Sequence, residues 1–235
     1  MKKMILSAVM LVFAASGRAQ EAGAASPTEH NEWLTTFEAV AVDADLDIKF
    51  VKVPDTEAPK IVYDTKGSYT SKFRAEVKDK TLRISERPDS RRPDRTEVTV
   101  YYNALRAVSL SGAAATFEGT LDAAVLDVTV NRKASLTAKL DVKDLKMEQT
   151  GYSTANLSGS VRYLSLYVST GKVAASDLEV MSAEVNAQSK AEVSLWITDR
   201  FVGKTTTNAR ISYKGDPKIV RGGAKFMGGE INRVE

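Results

Sequence analysis

From residue 106 to the C-terminus, one short pattern recurs seven times at short, nearly even intervals. It consists of a period-2 apolar stretch, a small-residue corner, and a second period-2 apolar stretch. Anchored on Gly112, Arg132, Gly151, Thr170, Ser189, Thr207 and Gly222, it gives spacings of 20, 19, 19, 19, 18 and 15. Leu126/Val128/Val130 and Leu164/Leu166/Val168 lead into corners, and Ala134/Leu136/Ala138, Ala191/Val193/Leu195 and Ala209/Ile211/Tyr213 lead away from them. Alternation of this kind sets the apolar residues on one face of a strand. A fixed short period then implies stacked rungs, because one such unit cannot bury its apolar face by itself.

Two residues after the anchors stand Ala114, Ala134, Ser153, Lys172, Ala191, Ala209 and Ala224, a row of small residues interrupted at Lys172. Small side chains suit corners where equivalent positions stack ~4.8 Å apart. Leu121, Leu140, Leu178 and Ile197 mark a third inward strand in each unit. The expected fold is therefore all-β: a right-handed single-stranded β-helix of about seven rungs over residues 104–235, its parallel crossovers right-handed by the usual rule. A β-sandwich with evenly spaced strands is the alternative. It requires hairpins, and the repeat region contains no Asn-Gly or Asp-Gly pair.

Upstream, the strand signals lose their regular period. Val40/Val42, Leu46/Ile48/Phe50, Ile61/Tyr63, Leu82/Ile84 and Val98/Val100/Tyr102 each alternate with polar residues. Lys78-Asp79-Lys80-Thr81 reads as a tight hairpin turn, and Arg87 to Arg95 as a charged loop with two prolines. No ten-residue segment beyond the extreme N-terminus has helical periodicity, so almost no helix is expected. The whole of 33–235 reads as one domain, with irregular strands over 33–103 and regular rungs over 104–235.

The N-terminus has the form of a secretory signal over residues 1–19. Lys2 and Lys3 precede the apolar stretch from Met4 to Ala15, interrupted only by Ser7, and Gly17-Arg18-Ala19 supplies small residues for cleavage before Gln20. That stretch is too short to span a bilayer, and no span is expected in the mature chain. Residues 20–32, rich in Ala, Gly, Ser and Glu, read as a flexible leader. The chain has no Cys, so neither disulfides nor a lipid-modified Cys can hold it. The net charge of +3 belongs to Lys2, Lys3 and Arg18; the remainder is balanced between basic and acidic side chains. Such a balance offers no general attraction for nucleic acid. Export without cysteines suits the periplasm or cell surface of a bacterium.

The strands from Phe37 to Phe50, the Val77–Ile84 hairpin, Ser109-Leu110-Ser111-Gly112-Ala113 and Ile211-Ser212-Tyr213-Lys214-Gly215-Asp216-Pro217 occur in an order that resembles the autotransporter-adhesin "head GIN domain" family, secreted proteins of Gram-negative bacteria. The resemblance covers roughly residues 35 to 235. It implies a β-helix-like fold and an extracytoplasmic address, and it supplies no catalytic residues. The Ser-Gly-small corner of such proteins survives here at Ser111-Gly112-Ala113, whereas Arg132 and Ser189 stand at other corners.

Catalytic arrangements are poorly supplied. His30 is the single histidine and falls in the expected leader, which offers no rigid scaffold for a Ser-His-Asp set. One His and no Cys argue against a zinc site, and no cofactor or metal is expected. Asp43, Asp45 and Asp47 alternate, but an EF-hand loop would need Gly and Glu where Ile48 and Pro54 stand, so they read as a solvated face. A glycan lyase or hydrolase would need paired outward carboxylates. The outward rows Ser109, Thr129, Glu148, Tyr167, Asn186, Lys204, Ile219 and Ala107, Asp127, Lys146, Ser165, Glu184, Val202, Pro217 form no acidic ladder.

For binding, Tyr167 and Trp196 fall at outward positions, and Tyr163 and the Tyr101/Tyr102 pair add further aromatics that suit sugars or protein surfaces. Arg91 and Arg92, in the charged loop, could dock an acidic partner. The expectation is a non-enzymatic extracytoplasmic binding or adhesin-like protein whose partner is an envelope glycan or protein. A glycan-active enzyme and a self-associating structural protein are the alternatives.

Overall fold

The computed structural model describes residues 28–66, 72–89 and 94–234, with the backbone alone for 223–226. The expected signal, leader residues 20–27, and Arg91 and Arg92 lie outside the described residues. Fourteen strands form one hydrogen-bonded sheet, and no α-helix occurs among the described residues. They are β1 (Glu29–Trp33), β2 (Ala39–Asp43), β3 (Leu46–Lys52), β4 (Lys60–Asp64), β5 (Phe73–Lys78), β6 (Thr81–Glu86), β7 (Thr96–Tyr102), β8 (Ala107–Ser111), β9 (Ala114–Asn131), β10 (Ser135–Gln188), β11 (Glu192–Thr206), β12 (Arg210–Lys214), β13 (Ile219–Phe226) and β14 (Glu230–Arg233).

From β8 onward every pairing between these strands is parallel. Each segment lies beside the one that follows it by a single repeat, as in Glu179↔Trp196 and Ala114↔Ser135. A hairpin-built sandwich would not produce this. The repeat works as the alternation dictates: Val108, Val128 and Met147 stack in register, as do Val173, Val193, Ile211 and Ile231. Each of the fully buried members contributes roughly 1.5–3 kcal/mol by leaving water.

Extended, the 54 residues of β10 would reach ~180 Å. They stay compact because the chain changes direction at residues with positive φ: Gly151 (68°) and Tyr152 (59°), Gly159 (103°), then Thr170 (62°) and Gly171 (157°). The same left-handed corner recurs at Gly112 (84°), Arg132 and Lys133 (52°, 64°), Ser189 and Lys190 (57°, 65°), and Thr207 and Asn208 (53°, 59°). Six expected anchors are thus real corners.

The seventh is corrected. Gly222 lies inside β13 opposite Gly203, where a Cβ on Gly203 would come 2.7 Å from Phe201 Cζ. Those glycines make room for Phe201 and Ile231. The corner falls instead at Met227 (52°) and Gly228 (82°), which restores the even spacing after Thr207.

The inward row also changes. Lys172 is exposed, and Gly171 holds the inward place beside Ser153, with Ala113, Ala134, Ala191 and Ala209 fully buried in the other rungs. A Cβ on Gly171 would lie 2.5 Å from Ser153 O, so the row of small residues continues through this rung.

The N-terminal strands join the same stack out of chain order. β2 and β3 lie between β6–β7 on one side and β8–β9 on the other, with Val42 beside both Ile84 and Leu110, and Phe50 beside both Val100 and Phe117. Three antiparallel pairs, β5–β6, β4–β7 and β1–β4, close that end. The β5–β6 hairpin turns at Asp79 and Lys80 with φ of 50° and 56°, the double left-handed geometry of a type I′ turn.

β1 corrects the expected leader, since ordered pairing begins at Glu29 rather than near Trp33. His30 stacks on Tyr63 at 5.0 Å, and Tyr63 OH donates to Glu32 at 2.5 Å. β1 is an edge strand, exposed at most positions and held by backbone pairing to β4, so it carries no apolar alternation to reveal it.

Candidate functional site

The expected binding aromatics fall where their parity put them, half-exposed on the outer surface. Tyr167 OH accepts a hydrogen bond from Gln188 Nε2, which ties the ring to the next rung. Trp196 sits between Glu179 and Lys214 in the register, with Lys214 Nζ 5.1 Å from its ring centre. The two make no ring contact with each other among the described residues. Tyr102 turns inward and is buried, whereas Tyr101 faces out under Lys60 Nζ at 4.5 Å. Burial holds the Tyr102 phenol far above its ordinary range.

Asp43, Asp45 and Asp47 are held by arginines. Arg95 reaches Asp45 at 2.6 Å and Asp47 at 2.7 Å, and donates to Leu46 O at 3.1 Å. Arg132 reaches Asp43 at 3.0 Å, which also accepts from the Ser111 hydroxyl. The carboxylates thus pair with the Arg132 corner and with Arg95 just before β7. Among the described residues, no three His, Cys, Asp or Glu side chains are grouped to hold a metal ion.

One carboxylate pair escaped the sequence reading because it is built across β4 and β7. Asp64 and Glu97 line a cleft of about 630 Å³ beside β3, and Lys66 Nζ bridges them at 3.1 and 2.9 Å. A glycosidase acid needs a raised pKa. Here the Thr28 hydroxyl, followed by the amide and ammonium of Lys66, holds Asp64 below its ordinary value despite an opposing burial effect. That favours the ionised form of Asp64, the opposite of what a glycosidase acid needs.

A second feature was missed altogether. Around the corners at residues 152, 170 and 189 lies a groove of about 540 Å³, lined in part by Tyr152, Thr170, Lys172, Ser189, Lys190 and Glu192. Tyr152 is 74% exposed at a positive φ of 59°. Beneath the groove Gln149 is completely buried, its Nε2 donating to Ser153 O at 2.8 Å and Lys172 O at 3.0 Å. Ser153 in turn donates to Thr150 O at 2.8 Å or Val130 O at 3.2 Å. The signal for Tyr152 was present, an aromatic immediately after a corner glycine, but its exposure follows only from the left-handed backbone.

The stack of parallel rungs with antiparallel strands at one end makes the chain an all-β protein built on one large sheet. Residues 36–217 match the family described as "Putative auto-transporter adhesin, head GIN domain", and the chain belongs to it. Three solved structures are similar. A putative adhesin from Bacteroides fragilis has TM-score 0.78 at 19% identity, over 88% of this chain and 96% of that one. A putative adhesin from Parabacteroides merdae gives 0.63 at 18%, over 88% and 95%. A protein from Parabacteroides distasonis, named as a putative lipid binding protein, gives 0.62 at 16%, over 88% and 96%. At these identities the likeness concerns the fold. No curated protein matches the chain.

Proposed function

We propose that this protein is a non-enzymatic binding module of the Gram-negative envelope, a right-handed β-helix of about seven rungs that serves as a rigid platform for an envelope glycan or protein. The observation that carries this is the parallel pairing from β8 to β14, interrupted only by local register shifts, which sets outward side chains in rows with a rung spacing of ~4.8 Å. The family supports an extracytoplasmic address, in the periplasm or at the cell surface. The basic, apolar and small-residue succession over residues 1–19 supports export by a cleaved signal. No helix among the described residues is long and apolar enough to cross a membrane. Tyr167 and Trp196 are contact residues on the outer face, and Arg91 and Arg92 are contacts for an acidic partner.

The test incubates the full chain with polysaccharides extracted from a Gram-negative envelope. Retention on the immobilised protein without new reducing ends or unsaturated products is expected. Appearance of either product would replace the platform reading with a glycan-active enzyme, for which the Asp64–Glu97 cleft is the place to mutate. No retention of any envelope fraction would remove the binding reading itself.

A further inference from the structure

We propose that the corner groove at Tyr152 binds an extended acidic polysaccharide, with a sugar ring stacked on Tyr152 and its carboxylate, sulfate or phosphate groups paired with Lys172 and Lys190. The inference rests on the platform reading above and gives it a site and a ligand class.

Shape is the first support. The groove of about 540 Å³ follows a column of corners, one per rung. Through Lys172 and Glu192 it continues into a second groove of about 250 Å³ over the flat face of β11 and β12, which adds Ser194, Arg210 and Ser212. A continuous channel across several rungs matches a chain ligand better than a compact one.

Tyr152 supplies the second. A phenol ring 74% exposed adds little to the core, and its backbone lies in the left-handed region that disfavours any side chain beyond Gly. It makes no ring contact among the described residues. The corner requires the left-handed backbone but not an aromatic side chain on it, so a largely exposed Tyr at this position is free to make a contact. Aromatic faces pack against sugar rings while the phenol hydroxyl stays wet.

Charge decides the ligand class. Lys172 and Lys190 are exposed and form no ion pair among the described residues, although ion pairs are abundant at the N-terminal end. Glu192 is the carboxylate lining both grooves, outnumbered by Lys172 and Lys190, while Arg210 in the second groove is paired with Glu230 at 3.3 Å. Cations without partners attract an anionic chain, and the hydroxyls of Thr170, Ser189 and Thr207 along the rim suit its neutral hydroxyls.

The floor is also fixed before any ligand arrives. Gln149 ties the rungs at Ser153 and Lys172 together from below. Gly171 leaves no side chain in the groove, and none would fit there, since a Cβ would meet Ser153 O at 2.5 Å and Gln149 Nε2 at 2.8 Å. A preformed groove avoids part of the ordering cost of binding.

The experiment measures binding of the full chain to polygalacturonate, to dextran sulfate, to fully methyl-esterified polygalacturonate, and to phosphatidylglycerol vesicles, by titration calorimetry over a range of salt. At least one acidic polymer is expected to bind, more weakly as salt rises, with the esterified polymer at least about tenfold weaker. Tyr152→Gly relieves backbone strain, so its melting temperature should not fall, yet affinity should drop about tenfold. Lys172→Gln with Lys190→Gln should lower affinity by about the same factor and flatten the salt dependence. Equal binding by these variants, preference for the esterified polymer, binding to vesicles in place of polysaccharide, or no binding to either acidic polymer would each overturn the proposal. Variants that still retain envelope polysaccharide as the unmodified chain does would sink the groove and leave the platform reading standing.

Discussion

The two ends of the stack reach the same parallel pairing by opposite routes. In the C-terminal half, each strand finds its neighbour one repeat away, and rungs follow chain order. In the N-terminal half the partners are distant: Val42 pairs with Ile84 and with Leu110, and β2–β3 slot between strands that come much later in the sequence. The cores differ to match. Phe50 stacks on Phe117 at 4.5 Å and Tyr63 on Phe73 at 4.3 Å, whereas the coil is lined mostly by columns of Val, Leu and Ala, with Phe201 against Tyr213 at 4.8 Å near its far end. Local repeats close small loops at little entropic cost, while long-range pairing closes longer ones, which costs modestly more and slows folding. At the N-terminal end, β4 and β1 continue antiparallel from β7, and β5 pairs antiparallel with β6. β13 and β14 pair on one side only, with exposed Ile219, Val220, Met227 and Val234 nearby.

Phe50→Ala tests that contrast most severely. Phe50 is fully buried where β3 joins β7 to β9, and its loss should cost about 3–5 kcal/mol in urea denaturation. Hydrogen exchange should then accelerate first in β2, β3 and β7, with the coil from β10 onward still protected, because rungs couple mainly to their neighbours. Uniform loss of protection would show the halves to be a single cooperative unit.

Gly159→Ala probes the coil itself. A Cβ there would lie 2.1 Å from Leu140 O at a φ of 103°, so the backbone must shift between adjacent rungs. A destabilisation of about 3 kcal/mol is expected from thermal unfolding, and little change would mean that rung spacing is looser than the register implies.

The smallest effect is acid-dependent and confined to the N-terminal end. The folded pKa of Asp64 is lowered, chiefly by the Thr28 hydroxyl and then by Lys66, so the unfolded chain binds the proton more readily. Its contribution is present above the unfolded carboxylate value and fades as pH falls through the folded one. Asp64→Asn should therefore flatten the dependence of melting temperature on pH below about pH 4 and change it little near neutrality. An identical acid limb in both proteins would exclude Asp64 from the pH response.

Much of the coil was written in the chain. Period-2 alternation and an even spacing placed six corners on residues that do adopt positive φ, including Arg132 and Ser189, which by type alone would not be chosen for it. The reading went astray at Gly222, where two successive glycines mimic a corner but serve close packing against Phe201 and Ile231, while Met227-Gly228 makes the turn. It also put Lys172 inside, because the corner at Thr170-Gly171 sets the inward face one residue earlier. His30 went to a leader since β1 is an edge strand with almost nothing to bury. The outward placement of Tyr167 and Trp196 was legible from parity, whereas the groove at Tyr152 and the Asp64–Glu97 pair were not.

The sequence by itself determined the strands, their inward faces and the repeat that stacks them, because alternation and period are local properties and each rung meets its neighbour within a single repeat of the chain. Only the tertiary structure decided the order of the first rungs, the antiparallel closure of one end, and which surface groups share a groove. Those depend on partners as distant in sequence as Val42 and Leu110 and on the left-handed corners that turn Tyr152 outward, and no short-range pattern encodes either.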